Sequence, residues 1–199
     1  MIRRFSPDVW RGGGVEAELI CRAFINRPVN LALPLGGLRP AAALVPLEPE
    51  KGVWLTRRSA FLSTHAGQVA FPGGKIDSSD ASPEMAALRE AQEEVGLNPA
   101  QVTCLGRLPD HVTITGFHIT PVVALLPVGT SLWPASIEVE EVFTLPFEVL
   151  LNPDYPVQRK VITKAGERVF WVWPHADHVI WGATALILRH LALCLRQAR

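Results

Sequence analysis

Cysteine is scarce in this chain, and the three present, Cys21, Cys104 and Cys194, stand far apart with no pair at metal-ligand spacing. A disulfide framework and a cysteine zinc site are therefore excluded, and a reducing cytoplasm is the expected setting. Charge of one sign is lacking too: 19 basic residues balance 19 acidic ones, and no basic block stands out. That argues against a nucleic-acid partner and against an electrostatic membrane anchor, and leaves a small anionic ligand as the expected partner. The apolar stretch from Val179 to Leu195 is too short to cross a membrane and is interrupted by Arg189 and His190, so it reads as a core helix. After Arg3 and Arg4 the chain continues Ser6-Pro7-Asp8, where a signal peptide requires an apolar run. Internal repeats, low-complexity tracts and linkers are also missing.

What remains is a chain of 199 residues, 48% of them apolar, enough for one substantial core. We read a single domain over residues 1–199, with 1–40 as an N-terminal extension of helix and loop. Within the extension, Leu19, Ala23 and Phe24 recur at helical spacing between a triple glycine and Pro28, predicting a helix over Val15 to Asn26. Leu31 to Pro40 reads as loop. Strands are expected at Ala41–Leu47, Gly52–Arg57, Val102–Leu108, Thr120–Leu126 and Glu138–Leu145, and a hairpin at Val157–Thr163 and Glu167–Trp173. A last helix is expected over Asp177 to Arg196. Strands alternating with a few helices make an α/β chain whose helices cover a sheet.

The chemistry is concentrated in Phe71-Pro72-Gly73-Gly74 and in the helix that Ser82 and Pro83 open and Gly96 closes. At about 100° per residue, Leu88, Ala91 and Val95 fall on one side of that helix and Glu90, Glu93 and Glu94 on the other. Like charges at this spacing repel, and a hard divalent cation with oxygen ligands reverses the sign. The bland reading is a solvated charged face. The glycine turn, which lets backbone approach a ligand, and Arg89, one turn from Glu93, favour a cation site aimed at phosphate. A P-loop fits poorly, because Ile76 follows Gly74-Lys75 where serine or threonine is needed.

The run Gly74 to Leu97 resembles the Nudix box, with Arg89-Glu90, Glu93-Glu94 and Gly96 in its order. It departs in one respect: Arg89 comes one position late, and the solitary box glutamate is replaced by Asp80 or Glu84, neither at the expected offset to both ends. Gly73 to Asp80 and Ala87 to Glu94 are similar to the coenzyme A pyrophosphatase branch of that family. So is the upstream stretch Leu55, Thr56, Arg58, Ser59, Gly67 and Phe71 to Gly74, with Trp54 in place of leucine and Ser63 in place of arginine. Gly116 to Val123 and Ile180 to Ala185 extend the likeness to the last helix, leaving only the first forty residues unmatched.

The resemblance implies an α/β/α sandwich with a mixed sheet and metal-dependent hydrolysis of a coenzyme A-like nucleotide, with Mg²⁺ or Mn²⁺ as cofactor. It implies Gly74, Glu90, Glu93 and Glu94 as metal ligands and Arg89 as the residue that orients a glutamate. Glu90 or Glu138 is the general base, although Glu138-Val139-Glu140-Glu141 reads equally as a charged strand edge. Arg57, Arg58, His65 and Gly73 are the candidate substrate contacts, and of two neighbours on a strand only one arginine is expected to face the site. His111 and His118 read as loop residues, and Trp171, Trp173 and Trp181 as core. Ser63 keeps open a different nucleoside diphosphate derivative, such as ADP-ribose or a dinucleotide. A third alternative is a non-catalytic metabolite-binding regulator, although such folds commonly lose the box carboxylates that are intact here. A homodimer is compatible with the sequence.

Overall fold

The computed structural model describes residues 3–4, 15–24, 37–163 and 166–199. At its centre β2 (Arg39–Glu48) runs parallel to β8 (Phe117–Leu125), in register from Arg39 beside Phe117 to Leu47 beside Leu125. From Ala41 onward β2 is buried on both faces, as a strand covered on both sides must be. Its side chains alternate. Ala43, Val45 and Leu47 join Val123 and Leu125 on one face, while Ala42 and Leu44 join Val122 and Ala124 on the other.

The first face is covered by α1 (Val15–Phe24), through Ile20 and Phe24, and by α4 (Gly182–Gln197), through Leu188 and Leu191. The second is covered by α2 (Pro83–Val95), through Ala87, Leu88, Ala91 and Val95. The result is the expected α/β/α layering. The sheet is mixed: β1 (Arg3–Arg4) runs parallel to β6 (Thr103–Arg107), which runs antiparallel to β8, as does β7 (His111–Val112).

One irregularity opens the site. β3 (Gly52–Arg58) pairs with β9 (Val139–Leu145) on one edge from Val53 to Arg58, but on its other edge it pairs with β2 only at Leu47–Val53 and Glu48–Gly52, then diverges to pair with β4 (Val69–Ala70). The gap is filled by β5 (Gly73–Lys75), which lies antiparallel to Ala41–Ala43, and the Pro72 carbonyl accepts the Leu44 N–H at 2.8 Å. The glycine turn is thus short strand, not free loop. It sits directly over α2.

Other expectations need correction. The first strand starts at Arg39, inside the expected loop, because Arg39 and Pro40 already pair with Phe117 and His118. The last helix starts at Gly182 and not Asp177: Ile180 accepts the Trp173 N–H at 3.0 Å and Trp181 is extended at the helix cap. The loop expected from Asp110 contains β7, and a short α3 (Phe147–Leu150) follows β9. The hairpin of β10 (Val157–Thr163) and β11 (Gly166–Val172) forms a separate two-stranded sheet. The end of the expected first helix at 25–26, the loop over 31–36 and the hairpin turn at 164–165 lie outside the described residues. Among the described residues no helix is long and apolar enough to cross a membrane.

Candidate active site

α2 is fixed at both ends by local chemistry. Ser82 caps its start, its Oγ accepting the Met85 N–H at 3.4 Å, and Pro83 fits the first turn, where no N–H is needed. Gly96 closes it at φ 67°, a left-handed conformation that a side chain would strain. The helix therefore presents its carboxylates at a set height beneath β5.

Glu94 does not lie on a solvated face. Its side chain is only 9% exposed, its Oε2 accepts the Gly73 N–H at 3.0 Å, and its Oε1 lies 4.0 Å from the Arg58 guanidinium. Burial pushes its carboxyl up to about 7, against the Gly73 hydrogen bond and with Glu90 adding repulsion. Glu94 follows Ala91 by three residues, about 60° away around the helix, and so lies at the border of the packed face, beneath the turn that supplies its donor. Glu90 is half-buried, and burial raises its carboxyl above the usual range while Arg89 pulls it down. Gly74 is where the turn meets it: a Cβ there would lie 2.6 Å from the Glu90 carboxylate. Glu93 is exposed and leans to Arg89 at 3.5 Å.

Arg89 donates to Glu90 Oε1 at 2.9 Å and to the Lys75 carbonyl at 3.2 Å, and grips both oxygens of Asp80 at 3.2 and 3.0 Å. Those bonds hold Asp80 below the usual carboxylate range. Between the two residues that spacing left open, Asp80 is the one bound to the box arginine. Glu84 is engaged elsewhere, in a two-pronged pair with Arg107 at 2.6 and 2.9 Å that ties the first turn of α2 to β6.

Of the neighbouring arginines, Arg58 faces the carboxylates: it lies 3.2 Å from Glu138 as well as near Glu94. Arg57 turns to Glu140 and Glu141, 3.0 Å from each. His65 is exposed and bonds Gln68 at 2.9 Å, so neither Arg57 nor His65 joins the Glu90–Glu94 group. The structure thus brings together Gly73, Gly74, Arg89, Glu90, Glu94, Arg58 and Glu138. Sequence reasoning missed His178, which bonds Glu141 at 3.3 Å across 37 residues, and no local signal announces it. His118 pairs with Asp110 at 3.2 Å, and Trp173 is core, its Nε1–H donating to the Ala185 carbonyl at 3.0 Å.

A family model described as the NUDIX domain matches residues 37–165, most of the chain. The chain belongs to the Nudix family. Two similar relatives carry the name "Uncharacterized Nudix hydrolase NudL", from Salmonella paratyphi B and Salmonella newport. Each is 43% identical over 157 residues, which is 78% of this chain and 82% of the relative. Among solved structures, a Nudix hydrolase from M. smegmatis, RenU, aligns at 30% identity with a TM-score of 0.47, over 56% of this chain and 73% of that one. Nudix hydrolases act on pyrophosphate bonds in nucleoside diphosphate derivatives and generally use divalent cations such as Mg²⁺ or Mn²⁺.

The residues of this Nudix site suit such a cation. Two carboxylates raised by burial and by neighbouring acids are hard oxygen donors that a divalent ion would return to the charged form. Among the described residues no group of three carboxylates, histidines or cysteines is already gathered to hold an ion. Glu93, the third candidate ligand, leans outward to Arg89.

Proposed function

We propose that this Nudix hydrolase cleaves the diphosphate of coenzyme A or its derivatives, releasing 4′-phosphopantetheine and adenosine 3′,5′-bisphosphate. The observation that carries the reading is the Gly73 N–H bonded to buried Glu94 at 3.0 Å. It joins the end of the upstream stretch, which resembles coenzyme A pyrophosphatases, to the carboxylate helix in one site. The whole chain acts as one unit with residues 1–40 as its extension, in the cytoplasm.

In this reading Glu90 and Glu94 would hold Mg²⁺ or Mn²⁺, with the Gly74 carbonyl and Glu93 as further donors. Such an ion, when bound there, would supply charge neutralisation for the phosphates and acidify a water. The chain's own residues do the rest. Arg89 fixes Glu90 through one oxygen, and Asp80, holding the guanidinium by its other edge, keeps Arg89 from swinging away. The Gly73–Gly74 backbone leaves room for the diphosphate to approach. Glu138 is the general base, accepting the proton of the attacking water. It is half-exposed and shares Arg58 with Glu94, whereas Glu90 is in this reading already taken as an ion ligand and bonded to Arg89.

A second reading, another nucleoside diphosphate derivative such as ADP-ribose or a dinucleotide, is favoured by one observation. The exposed loop from Ala60 to Gly67 carries Ser63 and neither lysine nor arginine, so it offers no fixed cation to a 3′-phosphate. Product analysis with free and acylated coenzyme A, ADP-ribose and dinucleotides, each with Mg²⁺ or Mn²⁺, decides between them. Coenzyme A should give the highest kcat/KM. An equal or lower value than ADP-ribose would transfer the assignment to the second reading.

A further inference from the structure

β3 and β9 are in step from Val53 beside Leu145 to Arg57 beside Glu141, and then the register shifts so that Arg58 pairs with Val139. Glu140 is the extra residue, the mark of a β-bulge, in which two residues of one strand oppose one of the other. Arg57 is that opposing residue. Its Nη1 lies 3.0 Å from Glu140 Oε2 and its Nε donates to Glu141 Oε2 at 3.0 Å, so one guanidinium holds both bulge carboxylates. Glu141 is fastened on its far side by His178 Nε2 at 3.3 Å, and the His178 ring stacks on Phe143 with centroids 4.0 Å apart.

The bulge has a directional consequence. Side chains alternate along a strand, so one inserted residue reverses the facing of everything beyond it and draws it one place along the partner. In an unbroken ladder Arg58 would oppose Glu140 and Ser59 would oppose Val139. Here Ser59 N–H donates instead to the Glu138 carbonyl at 2.8 Å, and Arg58 reaches the Glu138 carboxylate at 3.2 Å while lying 4.0 Å from Glu94.

We propose that Arg57 and Arg58 are positioning residues for Glu138: Arg57 locks the bulge that turns Glu138 toward the site, and Arg58 tethers its carboxylate beside Glu94. Both arginines thereby act on the proton-accepting step and not on substrate phosphate. The inference rests on the reading of Glu138 as general base, and not on which nucleotide is cleaved.

The test is a double-mutant cycle on the full chain with saturating Mn²⁺ and whichever diphosphate substrate it turns over, so that a failure of coenzyme A as substrate leaves the cycle intact. Arg57→Lys keeps a charge but loses the fork that spans two carboxylates. It should lower kcat by about 10–100-fold, the usual effect of losing a residue that orients a reacting group. KM and Mn²⁺ affinity, the latter read by water-proton relaxation, should stay unchanged. Glu141→Gln, which removes one of the two charges that Arg57 holds but leaves an oxygen that still accepts from Arg57 Nε, should show the same pattern to a lesser degree, and Arg58→Lys should follow Arg57→Lys. In a Glu138→Gln background Arg57→Lys should have no further effect, and the pH limb of kcat that Glu138→Gln removes should be shifted or flattened in Arg57→Lys. A raised KM with unchanged kcat would make the arginines phosphate ligands and overturn the proposal. An Arg57→Lys effect of full size in the Glu138→Gln background would do the same. Wild-type kcat in Glu138→Gln itself would remove Glu138 as the base and the inference with it.

Discussion

Gly74 lies so close to Glu90 that a Cβ at position 74 would sit 2.6 Å from the carboxylate, which Arg89 holds at 2.9 Å. A side chain at position 74 would force the carboxylate to shift from the place where Arg89 holds it. Gly74→Ala is therefore expected to fold, since its clash is with a side chain, and to fail in chemistry. Displacing one preorganised charged group costs on the order of 10²–10³ in kcat. Steady-state kinetics beside thermal melts checks this. Wild-type turnover in Gly74→Ala would show that Glu90 works from another position.

Asp80 touches Arg89 through both oxygens, and no closer contact joins it to Glu90 or Glu94. Asp80→Asn keeps the shape and turns one acceptor into a donor facing a donor. Activity or metal affinity should drop by about 10–100-fold, as is usual when the group behind a metal-site residue is altered. Glu84→Gln, which loosens the Arg107 pair at the start of α2 and not the hold on Arg89, should leave metal affinity near wild type. Equal losses in the two variants would mean that either acid serves the arginine.

Much of this was legible in the sequence because it is local. Ser82, Pro83 and Gly96 mark the ends of α2 by chemistry that needs no partner, and the continuous apolar runs of β2 and β8 announce strands buried on both faces. The missing parts depend on distant chain. β5 has three residues, two of them glycine, and carries no periodic signal; only Ala41–Ala43 make it a strand. Glu94 is buried because Gly73 supplies its donor from 21 residues away, which a helical wheel cannot register. Whether Asp80 or Glu84 served Arg89 was undecided by spacing until Arg107 claimed Glu84. The start of α4 was misplaced because Val179 and Ile180 continue its apolar run, although Ile180 is held by Trp173.

Ser63 stands exposed in the loop before β4, so an arginine there meets no packing constraint. If the substrate is coenzyme A, Ser63→Arg should lower KM for it more than for the form lacking the 3′-phosphate, because a guanidinium gains a bidentate contact only where that phosphate is present. Parallel KM measurements on both compounds are the check. An equal change for the two would place the 3′-phosphate away from this loop.

Glu94 makes a pH prediction for protein stripped of metal by chelator. Burial raises its carboxyl from the ordinary 4.5 to about 7, with Glu90, Arg58 and Glu138 as the charged groups that face it. Between those two values the folded chain keeps a proton that the unfolded chain has released. Stability from this group is complete below the lower value and is lost as pH rises through the window, by at most about 1.4 kcal/mol per pH unit. Partly buried His111 and His175, whose pKa values burial lowers, act in the opposite sense, losing stability as pH falls. They are present equally in Glu94→Gln, whose side chain is neutral at every pH. The difference in melting temperature between Glu94→Gln and wild type, both in chelator, should therefore grow in favour of the variant from about pH 5 to pH 7. Saturating Mg²⁺ should reverse the order, since the ion stabilises only the protein that binds it and the variant has lost a ligand. Melting curves of the two proteins that stay parallel across this pH range in chelator would show that Glu94 is already ionised without metal, and would remove the burial argument for a cation at this site.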